Sequence, residues 1–159
     1  MKKRIFSILC QNIPGVMMRI TRDFTRRQIN LDSITVGLEP SGLARIILMF
    51  NADDKMAEFM RKIIARLEPI VSVEVIDPEK SVVREVALLK TRRLDNEKHW
   101  KVVDQIERAG GKIIDSSEGA IIAEISGDHD LIENLISSLG ANVIKEIARS
   151  GQVYISKEL

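Results

Sequence analysis

Hydrophobic positions follow two spacings along this chain, and the order in which those spacings occur predicts the fold. Short apolar runs at 4–10, 31–39, 44–50 and 70–76 are typical of strands. Apolar residues at three- and four-residue intervals in 14–27, and again between Asp53 and Pro69, are typical of helices that bury one face. The first half of the chain therefore predicts the order βαββαβ, which forms an antiparallel sheet with helices on one face.

The same order repeats after the polar segment Asp77-Pro78-Glu79-Lys80-Ser81, whose composition is typical of a linker. Strands are predicted at 82–90, 112–116, 120–125 and 143–148, helices at 96–109 and 128–139, and a short hairpin at Ser150-Gly151 adds a last strand. We therefore predict an α+β protein made of two ferredoxin-like βαββαβ sandwiches in tandem. Its first domain is 1–77, its linker 78–81 and its second domain 82–159.

Two of the predicted strands, 44–50 and 120–125, are apolar at almost every residue. A sheet with only one covered face alternates apolar and polar residues, so we expect both faces of these sheets to be covered, by the other domain or by another copy. Domains of about 75 residues bury modest cores, and assembly through the sheets would stabilise them. We therefore expect a homo-oligomer.

Charge and composition exclude several classes of partner. The 159 residues are 45% hydrophobic and 30% charged with a net charge of +1, so neither nucleic acid nor a membrane surface is expected as the main partner. The basic group Arg22, Arg26 and Arg27 is typical of a solvated helix face, with contact to an acidic partner as the alternative. Cys10 is the only cysteine and ends an apolar strand, which indicates a buried structural thiol. With no apolar run of about 18 residues and no signal-like start, we expect a cytoplasmic protein.

The loop between the first strand and the first helix carries the strongest functional pattern, Asn12-Ile13-Pro14-Gly15. Pro14 presets φ for a first helical turn, and Gly15 has no Cβ to keep a ligand away from the backbone. A helix N-terminus presents unpaired N–H groups and a partial positive charge. The loop therefore predicts a site for the carboxylate of a small molecule.

Asn30 is the second candidate, because it follows the first helix and begins the next strand. Its amide can bond an ammonium group or a carboxylate, and across a dimer it could lie near the Asn12 loop of a neighbouring copy. In the alternative interpretation Asn12, Pro14 and Gly15 form an ordinary turn, and Asn30 ends the helix with a left-handed backbone.

The polar residues elsewhere predict no catalytic residues and no metal site. His99 and His129 have no cysteine partners and no metal-ligand spacing. Asp128-His129-Asp130 follows Gly127 and opens a helix, which indicates an N-cap with an acidic first turn. No nucleophile triad or glycine-rich phosphate loop is present at usable spacing.

The run 8–36 combines a strand, Asn-x-Pro-Gly, an amphipathic helix, Ile-Asn-Leu and Ser-Ile-Thr-Val. In that order these features resemble the ACT domain, and more closely the ACT domain of acetolactate synthase (acetohydroxyacid synthase) small subunits. Three later segments resemble the same family: 84–90 (REVALLK), 110–115 (GGKIID) and 146–151 (EIARSG). The resemblance therefore extends over nearly the whole chain and implies an ACT domain followed by an ACT-like domain.

The resemblance implies a non-catalytic regulatory subunit in the biosynthesis of valine, leucine and isoleucine. Its partner would be a separate catalytic large subunit carrying thiamine diphosphate, Mg²⁺ and FAD, which the regulatory subunit activates and makes sensitive to feedback inhibition by L-valine. It also implies no cofactor in this chain and a homodimer or higher homo-oligomer formed through ACT domains. The effector would be held by one ACT domain and the facing one, through Asn12, Pro14, Gly15, Val16 and Met17 of the first and Asn30 and Leu31 of the second.

One residue departs from the family pattern. Gln28 stands where the family usually has a glycine at the end of the first helix. If that position needs a positive φ, a glutamine costs about 1 kcal/mol relative to glycine. The pose of Asn30 then depends on how the helix ends.

Three other functions fit parts of the pattern. An amino-acid-binding ACT regulator of another enzyme would share the effector loop. An RNA-binding module would share the βαββαβ order, but it needs two or three stacking aromatics on its central strands, for which only Phe6 and Phe50 are candidates. A small free-standing enzyme would need an acid, base or metal set that the sequence lacks.

Overall fold

The computed structural model describes residues 1–157 and confirms the predicted fold of two tandem βαββαβ units. One compact unit comprises Met1–Val82 together with the chain from Gln152 onward, and the other comprises Val83–Gly151. The elements of the first half are β1 (Lys2–Cys10), α1 (Val16–Thr25), β2 (Leu31–Leu38), β3 (Ala44–Ala52), α2 (Asp54–Ala65) and β4 (Ile70–Val75). Those that follow are β5 (Ser81–Thr91), α3 (Asn96–Arg108), β6 (Lys112–Asp115), β7 (Ile122–Gly127), α4 (His129–Leu139) and β8 (Ile144–Ser156).

The first sheet has the strand order β2-β3-β1-β4, so β2 and β4 are its edges. β3 pairs antiparallel with both β1 and β2, which makes β1 and β2 parallel to each other. Alternate residues of β1 and β3 face the two helices, and the ring of Phe50 meets those of Phe6 and Phe24 edge-on at 4.8 and 4.9 Å between centroids. Aromatic edge-to-face contacts in a dry core fix the sheet against α1.

The second sheet has the order β6-β7-β5-β8 and a core of aliphatic residues only. Side chains at alternate positions, such as Ala87, Leu89 and Ala123, face helices α3 and α4. The outward positions of β7 carry Glu124 and Ser126, and both residues are exposed. Within a single copy the outward face of this strand is therefore not covered, so the expected cover would have to come from another copy.

Four residues form a smaller apolar cluster on the face of the first sheet that lies opposite its helices: Ile5, Ile47, Met49 and Ile76. Tyr154 packs against this cluster, and its hydroxyl donates a hydrogen bond to Glu74 Oε2 at 3.1 Å. The Lys157 N–H donates to the carbonyl oxygen of Lys80 at 2.9 Å, which ties the same segment down. A short piece of this chain, 152–157, thus covers part of the face that we expected to be covered.

Several predicted boundaries differ from those observed. The predicted linker 78–81 contains a 3-10 turn at Pro78–Lys80, and Ser81 already belongs to β5. The predicted hairpin at Ser150-Gly151 is wrong, because Ser150 accepts a hydrogen bond from the Val86 N–H at 3.0 Å and the strand continues through Gly151. The predicted second domain 82–159 differs from the observed unit because the chain beyond Gly151 packs on the first sheet, and residues 158–159 lie outside the described part.

The end of α1 explains the departure at Gln28. The Ile29 N–H donates to the carbonyl of Phe24 at 3.1 Å and the Gln28 N–H to that of Thr25 at 3.0 Å, which is the Schellman pattern. Gln28 is the residue with the left-handed backbone, at φ +56°. The alternative role proposed for Asn30, ending the helix with a left-handed backbone, is therefore wrong.

Replacing Gln28 with glycine should stabilise the protein. Glycine adopts a positive φ without a Cβ clash, so Gln28→Gly should raise the free energy of unfolding by about 1 kcal/mol. Urea denaturation followed by the fluorescence of the single tryptophan and by circular dichroism measures the change. Gln28→Ala is the control, because alanine keeps a Cβ and should give no gain. A glycine variant no more stable than the parent would contradict this account of the helix end.

Tyr154 is the only tyrosine, so its ionisation can be followed directly. Burial raises the pKa of its hydroxyl, and the hydrogen bond to Glu74 raises it further. A raised pKa in the folded state means that its stabilising contribution is present below pH about 10 and is lost as the pH rises through the folded-state value. Absorbance at about 295 nm should titrate above pH 10 in the folded protein and return to about 10 in urea. A folded-state midpoint at or below 10 would show that Tyr154 is not held on the sheet.

Candidate functional site

The loop at 12–15 is exposed at every residue and leads directly into α1. The helix begins at Val16, two residues later than predicted. Gly15 has φ +86°, which is not helical, so Pro14 lies in a turn before the helix and does not occupy its first turn. The loop thus presents a left-handed glycine at the point where the helix N–H groups emerge.

The N-terminus of α1 has no side-chain cap. In the other three α-helices an aspartate accepts a hydrogen bond from a first-turn N–H, namely Asp53, Asp95 and Asp128. In α1 the first bond from the main chain runs from the Arg19 N–H to the Gly15 carbonyl at 3.1 Å, and no acidic residue lies in the first turn. The N–H groups of the first helical residues therefore lack the partner that the other helices supply, and an anion can take that place.

Space in front of the helix is open. A Cβ built on Gly15 would meet no atom within 4 Å, so the backbone can be approached closely from solvent. Val16 is buried. Met17 packs against the core but is only partly buried, so part of its side chain remains accessible to a ligand. Sequence reasoning missed two neighbouring exposed apolar side chains, Ile13 at 47% and Met18 at 73% exposure. Ile13 lies inside the Asn-x-Pro-Gly motif, and its position there could have indicated that it belongs to the candidate site.

Asn30-Leu31, the second predicted group, lies at the other end of the sheet. Leu31 and Arg4 are both aligned with Phe50 of the strand between them. The 12–15 loop follows the last residue of β1, six residues beyond Arg4, which corresponds to about 20 Å along the strand. One copy of the chain therefore does not bring the two predicted groups together.

Leu31 is half-buried against the core, whereas the Asn30 side chain is exposed. The edge strand that they open continues with three exposed apolar residues, Ile34 at 40%, Val36 at 53% and Leu38 at 71%. An edge strand presents unpaired backbone N–H and carbonyl groups, and a row of exposed aliphatic side chains along it is typical of a pairing surface.

An ion cluster in the second unit was not anticipated. Glu85 is 4% exposed, and its carboxylate forms a bidentate ion pair with the Arg149 guanidinium. Arg149 Nε lies 2.5 Å from Glu85 Oε1, and Arg149 Nη2 lies 3.0 Å from Glu85 Oε2. Arg149 also pairs with Glu133, and His129 Nδ1 lies 3.4 Å from Glu85 Oε2. The hydrogen bond to Glu85 is the main cause of the raised pKa of Arg149. A buried carboxylate needs such a partner, so removing Arg149 alone would leave the Glu85 charge unpaired and destabilise the second unit.

The glutamate and the arginine of this cluster come from two of the segments that resembled a known family, 84–90 and 146–151. They are 64 residues apart in sequence. That separation left no local pattern from which the pair could be predicted.

Other candidates behave as buried or capping residues. Asp128 caps α4 through the Leu131 N–H at 2.8 Å, as predicted. Cys10 is buried, and burial raises the pKa of its thiol, which makes it a weak nucleophile. Phe6 and Phe50 are both fully buried, so the stacking surface that an RNA-binding module needs is absent from these strands.

Within residues 1–157 no group of three or more His, Cys, Asp or Glu side chains is arranged to hold a metal ion. None of the helices in the same range combines the length and the apolar character needed to cross a membrane.

Both halves of the chain match known protein families. Residues 6–72 match the model of the AHAS small subunit-like ACT domain, and residues 84–158 match the model described as the small subunit of acetolactate synthase. The crystal structure of the acetolactate synthase small subunit from Thermotoga maritima is 39% identical, with a TM-score of 0.87 over 99% of this chain and 98% of that one.

Curated relatives give the same result over similar lengths. The probable acetolactate synthase small subunit of Methanothermobacter thermautotrophicus is 31% identical, covering 96% of this chain and 92% of its own. The acetolactate synthase small subunit of Bacillus subtilis is 33% identical, covering 94% and 87%. With matches of this identity over nearly the full length of each chain, this protein belongs to the acetolactate synthase small-subunit family.

Proposed function

We propose that this regulatory subunit binds L-valine at the N-terminus of α1, activates the catalytic large subunit and makes it subject to feedback inhibition. The observation that carries the proposal is the uncapped start of α1, where Gly15 replaces the aspartate found at the other three α-helices. The valine carboxylate takes the unpaired N–H groups, and the helix dipole favours its negative charge. Met17 and Leu31 provide apolar contact for the isopropyl group.

Two copies of the first unit complete the site. Pairing of β2 with β2 of a second copy about a two-fold axis runs the strands antiparallel. With the axis near Ile34, the Asn30 end of one strand meets the Leu38 end of the other, on the side of the sheet where the 12–15 loop lies. The exposed Ile34, Val36 and Leu38 are buried by this pairing, which supports it.

The role of Asn30 follows from this arrangement. Its amide oxygen accepts a hydrogen bond from the valine ammonium, while the loop of the facing copy holds the carboxylate. Each dimer then carries two equivalent sites, each built from two copies. Valine stabilises the dimer arrangement in which the loop of one copy and Asn30 of the other both contact it. A coupling free energy of about 1–3 kcal/mol between valine binding and the catalytic subunit suffices for feedback control.

The chemistry of the holoenzyme belongs to the partner in this proposal. Thiamine diphosphate, Mg²⁺ and FAD are held by the catalytic large subunit, and this chain acts as a cytoplasmic regulator without a cofactor of its own. Regulation works through which arrangement of the subunits the effector favours.

Calorimetry of the purified protein with L-valine tests the binding step. In this proposal the Asn12 amide donates to the valine carboxylate, as the Asn30 amide accepts from the ammonium. Loss of a hydrogen bond to a charged group costs about 1.5–3 kcal/mol, so Asn12→Ala and Asn30→Ala should each weaken binding by roughly 10- to 100-fold. Asn142→Ala, an exposed asparagine of the second unit, is the matched control and should bind valine normally.

The same variants, assayed with the catalytic subunit, test regulation. The parent subunit should raise the activity of the catalytic subunit, and valine should remove that gain. Both asparagine variants should still activate but need correspondingly more valine to inhibit. If the folded parent protein gives no heat at millimolar valine, or if the asparagine variants bind as tightly as the control, the proposed site is wrong.

A further inference from the structure

Positive charge is concentrated on the helical layer of the first unit. Residues 16–27 and 54–66 contain eight Lys and Arg residues but only three Asp and Glu residues, an excess of five positive charges in a chain whose total is +1. The remainder of the chain therefore carries a net −4. The positive charge of this layer is therefore hidden in the overall composition, because the rest of the chain offsets it.

Two of the three acidic residues of this layer are paired with other cations, and the third is buried. Asp54 pairs with Arg4, and Glu58 pairs with both Arg61 and Lys62. Asp23 is buried, with 7% of its surface exposed. None of these three carboxylates forms an ion pair with an exposed arginine of α1 in the described part of the chain.

Arg19, Arg22 and Arg26 follow one another at three- and four-residue intervals and are all exposed, so they form one stripe on α1. None of them forms an ion pair within residues 1–157. Like charges at this spacing repel each other and destabilise a helix. Arg22 lies in the last turn and Arg26 is the C-cap, where the helix dipole favours a cation, but Arg19 lies in the first turn and has no such benefit.

Apolar side chains stand among these cations. Met18 is 73% exposed on α1, and Phe59 is 48% exposed on α2. The guanidinium carbon of Arg27 lies 4.9 Å from the centroid of the Phe59 ring, a cation–π contact that joins the two helices. Arginine, methionine and aromatic residues are the types enriched in protein–protein interfaces, whereas a purely solvated face has no need of exposed Phe or Met.

We propose that this surface, the arginine face (Met18, Arg19, Arg22, Arg26, Arg27 and Phe59), docks an acidic surface of the catalytic large subunit. The inference rests on the proposed function, because it takes the partner from there and names the surface of this chain that binds it. Carboxylates of the partner pair with the unpaired guanidinium groups, and an apolar contact covers Phe59 and Met18.

Charge argues against the other occupants. A second copy presenting the same face would set its arginines against those of the first, which is repulsive. Nucleic acid would meet three unpaired arginines of α1 but also the net negative charge of the rest of the chain, and this face offers one partly exposed ring for stacking. An acidic protein surface satisfies the cations and the apolar residues together.

Placement on α1 gives this docking a regulatory consequence. The helix begins at Val16, directly after Gly15, where the proposed carboxylate site lies. The chain that follows the helix leads to Asn30, the residue proposed to contact the effector held by the facing copy. A partner bound along α1 therefore contacts the element that joins the two halves of the effector site. Effector affinity and partner affinity must then change each other by the same factor.

Charge reversal tests the arginine face with the complete protein and the purified catalytic subunit. Arg22→Glu/Arg26→Glu should weaken subunit association by about tenfold or more and flatten its dependence on salt. Arg22→Lys/Arg26→Lys keeps the charge and should stay within a few-fold of the parent. Lys98→Glu/Lys101→Glu, an equal reversal on α3, is the matched control and should associate normally. Circular dichroism verifies that each variant is folded.

The outcomes separate this inference from the proposed function. Calorimetry with valine alone should give the same affinity for the reversed variant as for the parent, since neither arginine belongs to the effector site. Association that is unchanged by Arg22→Glu/Arg26→Glu, or parent association that does not depend on salt, overturns the inference. The inference is also overturned if Arg22→Glu/Arg26→Glu still associates with the catalytic subunit and loses only binding to a short RNA duplex, or only self-association. If the parent does not bind valine but the reversal still abolishes association, the proposed effector is wrong and the docking surface stands.

Discussion

The connection of β1 to β2 by α1 constrains everything else in the first unit. These two strands are parallel and lie on either side of β3, so the helix between them must run back along the full length of the sheet. Its first residue and the residue that follows it are consequently at opposite ends. A ligand of amino-acid size cannot touch both ends of one such helix, because they are separated by about 20 Å.

A site that uses both ends therefore needs two copies in antiparallel orientation. The unpaired β2 edge with its exposed aliphatic residues provides a surface for that orientation. In the proposed site neither copy holds the whole effector, so its binding would be linked to how the copies are arranged. The arginine face on the same helix provides a route by which this arrangement reaches a partner.

Local patterns were sufficient for the order of the elements, the helix caps and the loop motif. Spacing of apolar residues predicted both βαββαβ units, and the conditional expectation for Gln28 agrees with its observed φ of +56°. The return of Tyr154 to the first sheet could not be predicted, because Ser150-Gly151 is typical of a hairpin turn, whereas β8 continues through both residues and the Ser150 hydroxyl accepts a hydrogen bond from the Val86 N–H. The bond between Glu85 and Arg149 spans 64 residues and likewise has no local signature.

The candidate site was predictable in its parts but not in its assembly. The sequence pattern identified Asn12, Gly15 and Asn30 one by one, but their separation depends on the strand order of the sheet. The start of the helix also shifted, because Gly15 takes a left-handed backbone and leaves Pro14 outside. The backbone conformation of Gly15 thus decides which N–H groups lie at the exposed start of the helix.

A mixing experiment with two damaged proteins tests the shared site most directly. One protein carries Asn12→Ala and the other Asn30→Ala, and subunit exchange is allowed before titration with valine. In each mixed dimer one site has both defects and the other has none, so tight valine binding should reappear in the mixture although neither protein shows it alone. A mixture that exchanges subunits but binds valine no better than its components would contradict a site built from two copies.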